Sequence, residues 1–166
     1  PEQGVLFRDI TPLIANGAVF SELTHYLANK YGGHIDYVAG LESRGFILAA
    51  PVAAELGIGM LTLRKAGKLP PPVVGVDYDL EYGKARLEVR PDTVPEGARV
   101  LVVDDVLATG GTAAAAVSLL EHSGADVVGM FFLLELVDLG GFAKIQRENV
   151  DVLIKVHEDG EVDPQE

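Results

Sequence analysis

The chain has 166 residues, of which 48% are hydrophobic, so we expect a single domain over residues 1–157 followed by an acidic tail at 158–166. Its formal net charge of −12 argues against nucleic acid as the main partner, because that binding depends on phosphate neutralisation by Lys and Arg. The lack of cysteine and of any apolar run of membrane length excludes disulfides, thiolate metal sites and a membrane span, and it favours a cytoplasmic location.

The first part of the chain, residues 1–18, is interrupted by Gly and Pro and is predicted to form a loop-rich lead-in. It contains Phe7, for which two roles stay open: filling the core, or stacking against a flat ligand. Apolar residues with helical spacing then predict an amphipathic helix over residues 20–31, and the Gly32-Gly33 pair ends it.

Two short apolar runs, residues 35–41 and 60–63, are predicted to be strands, with an alanine-rich helix over residues 46–56 between them. Pro51 inside that helix predicts either a late helix start or a kink. The alternation of strand, helix and strand is typical of a parallel sheet.

Each of these two strands leads into charged residues. The first is followed by Glu42-Ser43-Arg44, and the second by Arg64-Lys65 and Lys68. Because the carboxyl ends of parallel strands meet at one edge of a sheet, the cations favour an anion site at that edge. Two plainer interpretations stay open: Arg44 as an ordinary surface arginine, and the second group as a solvated charge run.

Residues 69–89 differ from the rest of the chain. Two alternating segments, 73–79 and 85–89, predict a β-hairpin outside the main parallel sheet, with Gly83 in its turn. Such a hairpin beside a binding site is a candidate for a flexible lid. Glu81 at its tip is either an exposed turn residue or an acid/base group that closure carries onto the substrate.

The stretch of residues 99–112, RVLVVDDVLATGGT, carries the clearest chemical signal. A buried strand is predicted to end at Asp104 and Asp105, and a helix follows the loop of residues 108–112. Glycines in that loop let backbone N–H groups approach a phosphate, and the helix N-terminus adds its positive dipole end. The carboxylates would repel phosphate, so we expect them to meet sugar hydroxyls, directly or through a divalent cation. The predicted ligand is a sugar phosphate.

The last part of the chain continues the same alternation. Strands are predicted over residues 126–134 and 152–156, with a short helix over 140–147 between them. Helices between parallel strands cover both faces of a sheet, so we expect an α/β fold. The four histidines are too widely spaced to indicate a metal site, and the acidic end of the chain is expected to be frayed.

Five motifs stand out in order along the chain: GVLFRDITPL, GLESRGFILAAPVA, RKAGKLP, VDYDLEYGKARLEV and VLVVDDVLATGGT. The last resembles the phosphoribosyl-pyrophosphate motif of type I phosphoribosyltransferases, and the set resembles the adenine phosphoribosyltransferase family. The resemblance implies a mostly parallel twisted sheet flanked by helices, with a small hairpin lid. It also implies transfer of the 5-phosphoribosyl group from phosphoribosyl pyrophosphate to adenine, giving AMP and pyrophosphate in purine salvage. A Mg²⁺ cofactor and a homodimer are implied as well.

The resemblance assigns the two ends of phosphoribosyl pyrophosphate to different motifs. The 5′-phosphate would lie in the loop formed by Ala108, Thr109, Gly110, Gly111 and Thr112. Asp104 and Asp105 would hold the ribose hydroxyls, with Mg²⁺ held mainly by the substrate near them. The pyrophosphate would lie beside Arg44, Arg64, Lys65 and Lys68, next to a non-proline cis peptide at Glu42-Ser43.

The base side of the site is assigned in the same way. Phe7 would stack against adenine, while the backbone of Leu6 and Arg8 would read the edge of the base. Glu81 would be the carboxylate of the lid, with Tyr82 as its neighbour.

Two alternatives to an adenine enzyme stay open. One is a related enzyme for another purine, such as hypoxanthine or xanthine. The other is a regulator that senses phosphoribosyl pyrophosphate without catalysis, but such a regulator needs a surface for nucleic acid, and an acidic chain of this length does not suggest one.

Overall fold

One sheet of seven strands organises residues 9–80 and 82–163, which are the residues that the computed structural model describes. The helices are α1 (Thr11–Ala15), α2 (Gly17–Tyr31), α3 (Arg44–Leu56), α4 (Gly111–His122) and α5 (Gly141–Ile145). The strands are β1 (Tyr37–Leu41), β2 (Gly59–Lys65), β3 (Val74–Asp79), β4 (Lys84–Val89), β5 (Arg99–Leu107), β6 (Asp126–Leu136) and β7 (Val150–Val156). The predicted α/β class is confirmed.

The strand order is β3-β4-β2-β1-β5-β6-β7. The strands from β2 to β7 in this order are parallel, whereas β3 and β4 run antiparallel to their neighbours. The direction in which successive parallel strands are added to the sheet reverses between β1 and β5, since β2 lies on one side of β1 and β5 lies on the other. In open α/β sheets such a reversal leaves a crevice beyond the carboxyl ends of the two strands.

The two faces of the sheet are covered by different helices. On β5, Val100 and Val102 pack into a core with α4, while Leu101 and Val103 pack with α2 and α3 on the opposite face. This alternation follows from the two-residue period of a strand. Helices on both faces of the sheet are therefore confirmed.

The predicted hairpin is present, and its two antiparallel strands lie outside the parallel part of the sheet. β4 pairs with β2 through Arg64 opposite Glu88 and Lys65 opposite Leu87, so β3 and β4 extend the sheet at its edge. Gly83 has φ +88, and its carbonyl accepts a hydrogen bond of 2.9 Å from the N–H of Leu80. Glu81 lies outside the described residues.

Helical structure begins earlier than the sequence pattern predicts. Part of the expected lead-in loop is α1, and α2 begins at Gly17 because the Asn16 side chain accepts a hydrogen bond of 3.2 Å from Val19 N–H. α3 begins at Arg44 and continues through Pro51, so a late helix start is wrong. Among the described helices, none combines the length and hydropathy needed to cross a membrane.

One further expectation is corrected. β5 does not end at the acidic pair but includes it, because β6 pairs with β5 as far as Leu107. In the described part of the tail, the N–H of Asp163 donates to the carbonyl of Lys155 at 3.1 Å, and His157 Nε2 lies 2.8 Å from Asp163 Oδ1.

Candidate functional site

A cleft of about 1110 Å³ opens at the carboxyl ends of β1, β2 and β5, beside the β3–β4 hairpin. From the first two strands it is lined by Glu42, Ser43, Arg44, Arg64, Lys65 and Lys68. From β5 and its loop it is lined by Asp104, Asp105, Ala108 and Thr112. The fold therefore brings the charged residues of three separate motifs into one site.

The glycine-rich loop forms a smaller cavity of about 90 Å³, lined by residues 106–113 together with Asp104 and Phe132. Gly110 has φ +86 and directly precedes α4, a conformation that glycine adopts without strain. Thr109, Gly110 and Gly111 all line this cavity. Free N–H groups at the start of a helix can bind an anion there.

The loop is held from behind by α5. A Cβ on Gly110 would lie 2.7 Å from the carbonyl oxygen of Gly141, and a Cβ on Gly141 would overlap the carbonyl oxygen of Ala108. The two backbones can meet this closely only without side chains. Sequence reasoning placed Gly141 at a helix start but missed this contact, because nothing local in the sequence indicates which segment it touches.

The acidic pair is arranged asymmetrically. Asp105 is 4% exposed, and the ion pair between Arg44 Nε and its Oδ2 measures 2.7 Å. That approach lacks hydrogen-bond geometry, so Oδ2 receives no directed hydrogen bond within the described part of the chain. Asp104 Oδ1 accepts a hydrogen bond of 2.9 Å from the N–H of Asp105.

Asp104 has an altered acidity. It lines both cavities, yet burial of its carboxyl group raises its pKa well above 3.8, and the negative charge of Asp105 raises it further. The hydrogen bond from Asp105 N–H and the charge of Arg44 act in the opposite direction but are weaker. A ligand that supplies hydrogen-bond donors or positive charge would therefore favour the ionised form of Asp104.

The loop after β1 contains the cis peptide between Glu42 and Ser43 that the resemblance implied, and that expectation is confirmed. Arg44 then begins α3, whose first turn packs directly on β5: a Cβ on Gly45 would lie 2.8 Å from the carbonyl oxygen of Val103. This close approach brings Arg44 within reach of Asp105.

Arg64 is engaged by its neighbours rather than free in the cleft. Its Nε donates a hydrogen bond of 2.6 Å to Glu42 Oε1, and its guanidinium lies 5.8 Å from the centre of the Phe46 ring. Lys65 and Lys68, by contrast, form no ion pair with the described residues. These two lysines supply the available positive charge on this side of the cleft.

Some predicted site residues are placed differently. Tyr82 is 88% exposed and is not among the residues lining the cleft. Leu6, Phe7, Arg8 and Glu81 lie outside the described residues. The cleft also has an apolar wall that sequence reasoning did not assign, formed by Tyr78, Leu80 and Leu136. Apolar residues in strands gave no signal separating a cleft wall from the core.

Known proteins resemble this chain in sequence and fold. The family model described as "Phosphoribosyl transferase domain" matches residues 12–154. The adenine phosphoribosyltransferase of Thermobifida fusca is 52% identical over 156 residues, covering 93% of this chain and 86% of the relative. That of Acidothermus cellulolyticus is 50% identical over 157 residues, covering 94% and 89%.

Solved structures agree with these relatives. The adenine phosphoribosyltransferase of Thermoanaerobacter pseudethanolicus has a TM-score of 0.87 at 42% identity, covering 93% of this chain and 91% of that one. The Saccharomyces cerevisiae enzyme has a TM-score of 0.85 at 39% identity, covering 92% and 89%. The chain therefore belongs to the phosphoribosyltransferase family, on the branch of the adenine phosphoribosyltransferases.

Proposed function

We propose that this chain transfers the 5-phosphoribosyl group from phosphoribosyl pyrophosphate to adenine, giving AMP and pyrophosphate in purine salvage. The observation that carries the proposal is the single cleft, in which the phosphate-sized cavity, the acidic pair and the free lysines lie side by side. These groups match the phosphate, ribose and pyrophosphate of one substrate. The relative from S. cerevisiae is complexed with an imino-altritol bisphosphate and adenine, which supports the assignment.

The purified full chain should be assayed with phosphoribosyl pyrophosphate and each of adenine, hypoxanthine, guanine and xanthine, with and without Mg²⁺. Release of pyrophosphate and the nucleotide formed are the readouts. We expect AMP from adenine and at most trace product from the other bases. Product from another base but none from adenine would assign the chain to a different purine, and no product from any base would refute the activity.

In this proposal the loop of residues 108–112 holds the 5′-phosphate. The N–H groups at the start of α4 and the hydroxyl groups of Thr109 and Thr112 are its donors, and the helix dipole favours the negative charge. Because Gly141 fixes the loop from behind, these donors are in place before the substrate arrives. A preformed cradle reduces the entropy lost on binding.

Asp104 and Asp105 hold the ribose hydroxyls. The buried Oδ2 of Asp105, which receives no directed hydrogen bond from the described residues, is a hard oxygen donor that fits a hydroxyl group or Mg²⁺. Within residues 9–80 and 82–163, no group of three or more His, Asp or Glu side chains is arranged to hold a metal. Asp104 and Asp105 fit a Mg²⁺ ion held mainly by the substrate, and such an ion would neutralise negative charge on the pyrophosphate.

The pyrophosphate lies between Arg44 and the lysines of the second loop. Arg44 has 48% of its side chain exposed while it pairs with Asp105, so it can contact both the ribose side and the leaving group. Lys65 and Lys68 line the same cleft. Arg64 contributes by fixing Glu42, which keeps the loop of the cis peptide in place.

The chemical step joins N9 of adenine to C1′ of the ribose as the bond from C1′ to the pyrophosphate oxygen breaks. The electron pair of that bond leaves with pyrophosphate, and Arg44, Lys65 and Lys68 stabilise its charge. The proton that adenine loses passes to Glu81, which acts as the general base. The hairpin of residues 69–89 is the lid that keeps water from the cationic sugar.

The residues proposed for the base side are those that the family resemblance assigns. Phe7 stacks on adenine, and the backbone of Leu6 and Arg8 binds the edge of the ring. Tyr82, the neighbour of Glu81 in the hairpin, is 88% exposed and does not line the cleft, so we assign it no contact with the base. Substitution of Phe7 by Ala should therefore raise the KM for adenine more than the KM for phosphoribosyl pyrophosphate.

We further propose a cytoplasmic homodimer, as the family resemblance implies. Phosphoribosyl pyrophosphate and AMP are multiply charged metabolites, which suits a cytoplasmic enzyme. Sedimentation of the purified full chain tests the assembly: a mass of twice 17.6 kDa supports it, and a monomer at assay concentration contradicts it.

A further inference from the structure

Glu88 is a buried carboxylate that the proposed chemistry does not use. It lies on β4, opposite Arg64 of β2, and it is 7% exposed. The described residues that line the cleft do not include it. Sequence alternation predicts an exposed residue here, because Leu87 and Val89 on either side face the core.

Both oxygens of this carboxylate are engaged. The N–H of Gly67 donates to Oε1 at 2.9 Å, and Arg86 Nε donates to Oε2 at 3.3 Å. Gly67 has φ +83 and lies in the turn between Lys65 and Lys68. The first of these hydrogen bonds therefore fixes the shape of the turn that carries the two lysines.

Arg86 provides the charge that makes burial of Glu88 tolerable, since a buried carboxylate without a partner is strongly destabilising. The side chain of Arg86 packs against Gly75 of β3: a Cβ added to Gly75 would lie 2.8 Å from Arg86 Nε. Arg86 Nη1 also lies 3.4 Å from Asp77 Oδ1. Glu88 is thus held on one side by the Gly67 N–H and on the other by an arginine of the hairpin.

The backbone joins the same two segments. The N–H of Ala66 donates to the carbonyl of Arg86 at 3.1 Å, directly beyond the two register pairs that connect β2 with β4. The loop that carries the lysines is therefore bonded to the hairpin through both its backbone and the Glu88 side chain.

We propose that Glu88 is a positioning residue for pyrophosphate. It fixes residues 65–68 against the base of the hairpin, so the placement of Lys65 and Lys68 and the placement of the lid are set together. This inference rests on the proposed function, in which those lysines bind the leaving group. A carboxylate that only stabilised the fold would affect all ligands equally.

Four variants separate these possibilities. E88A removes the acceptor for Gly67, and E88Q keeps an oxygen at that position while removing the charge. G67A strains the same turn, because an L residue at φ +83 is disfavoured although its Cβ has open space. G97A is the matched control, with φ +74 and equally open space outside the residues lining the cleft.

Calorimetry should measure binding of pyrophosphate and, separately, of AMP, and steady-state kinetics should give the KM for both substrates. We expect E88A and G67A to weaken pyrophosphate binding and to raise the KM for phosphoribosyl pyrophosphate by about tenfold, the size expected for one lost hydrogen bond. AMP binding and the KM for adenine should change less than about twofold, E88Q should recover most of the loss, and G97A should match the wild type.

Pyrophosphate binding by E88A equal to that of the wild type, or an equal loss for AMP and pyrophosphate, would overturn the inference. If E88A fails to fold, the comparison of G67A with G97A decides the question, and equal affinities in those two variants would overturn it. If the wild-type chain makes no AMP, the proposed function is refuted. The role of Glu88 is tested separately, because it is measured by pyrophosphate binding.

Discussion

Gly110 and Gly141 meet backbone to backbone: a Cβ on Gly110 would lie 2.7 Å from the carbonyl oxygen of Gly141. The contact joins the loop before α4 to the first turn of α5, although 31 positions separate the two residues in the sequence. The loop's shape therefore depends on a segment outside the motif that identifies it.

Substituting Gly141 by Ala tests this dependence. The new Cβ would overlap the Ala108 carbonyl and displace the loop, and a displacement near 1 Å can lower catalysis by about a hundredfold. We expect kcat/KM for phosphoribosyl pyrophosphate to fall by about ten- to a hundredfold. The control is G17A, whose Cβ meets nothing within 4 Å; equal activity in both variants would contradict a role for Gly141.

Asp105 offers a second prediction. D105N keeps the shape of the side chain but removes the charge that pairs with Arg44 at 2.7 Å, so Arg44 loses its fixed position. Turnover should fall by at least about tenfold, as expected for a lost positioning group. D126N, on an exposed residue at the start of β6, is the control in a steady-state assay. Wild-type turnover in D105N would remove Asp105 from the proposed site.

Asp104 should limit stability at neutral pH. Its pKa is raised by burial and by the charge of Asp105, so its ionisation destabilises the folded state, fully above the folded pKa and progressively less as pH falls through it. D104N retains the Oδ1 that accepts from Asp105 N–H and removes this destabilisation. Its Tm at pH 8 should therefore exceed the wild-type value by a few degrees, since about 1 kcal/mol corresponds to roughly 2–4 °C in a domain of this size.

Thermal unfolding of both proteins from pH 8 to pH 4 checks the sign. The difference in Tm should shrink as the pH falls, because the wild-type carboxyl becomes protonated. A D104N protein less stable than the wild type at pH 8 would contradict the assignment. Activity of D104N should nevertheless fall, because the ionised oxygen is the proposed acceptor for a ribose hydroxyl.

The ionisation of Asp36 should change protein stability with pH in the opposite direction to that of Asp104. Hydrogen bonds from the Arg99 side chain, and next from its backbone N–H, lower the pKa of Asp36 from 3.8 to about 2. Its stabilising effect is therefore present above pH 3.8 and is lost as the pH falls through about 2. Urea unfolding at pH 6 should find D36N less stable than the wild type, with the difference vanishing near the lower value. A difference independent of pH would contradict this linkage.

Structural features that depend on neighbouring residues could be predicted from the sequence. The strand, loop and helix around residues 99–122 follow from apolar runs, glycines and alanines that lie next to one another, and the structure agrees apart from the end of β5. The same holds for the cations after β1 and β2, because parallel strands bring their carboxyl ends together. The site's location was therefore predictable.

Contacts between distant segments were not predictable. From the sequence, Arg64 is expected to be a free cation of the anion site. In the structure it is paired with Glu42, which lies 22 positions away in the sequence. Burial of Glu88 depends on β4 joining β2, which the hairpin's own alternation does not encode. In both cases the contact depends on which strands are neighbours in the sheet, and the hydrophobic pattern of one segment does not indicate its neighbours.

The hairpin joins the rest of the sheet through two register pairs to β2, whereas β5 and β6 are paired at eight positions. No residue of β3 is fully buried, whereas Leu87 and Val89 of β4 lie in the core. Backbone amides on β3 should accordingly exchange with deuterium by local opening, while those of β5 should exchange only with global unfolding. The edge strand that carries Tyr78 into the cleft lining can thus open at a small fraction of the total stability of the protein.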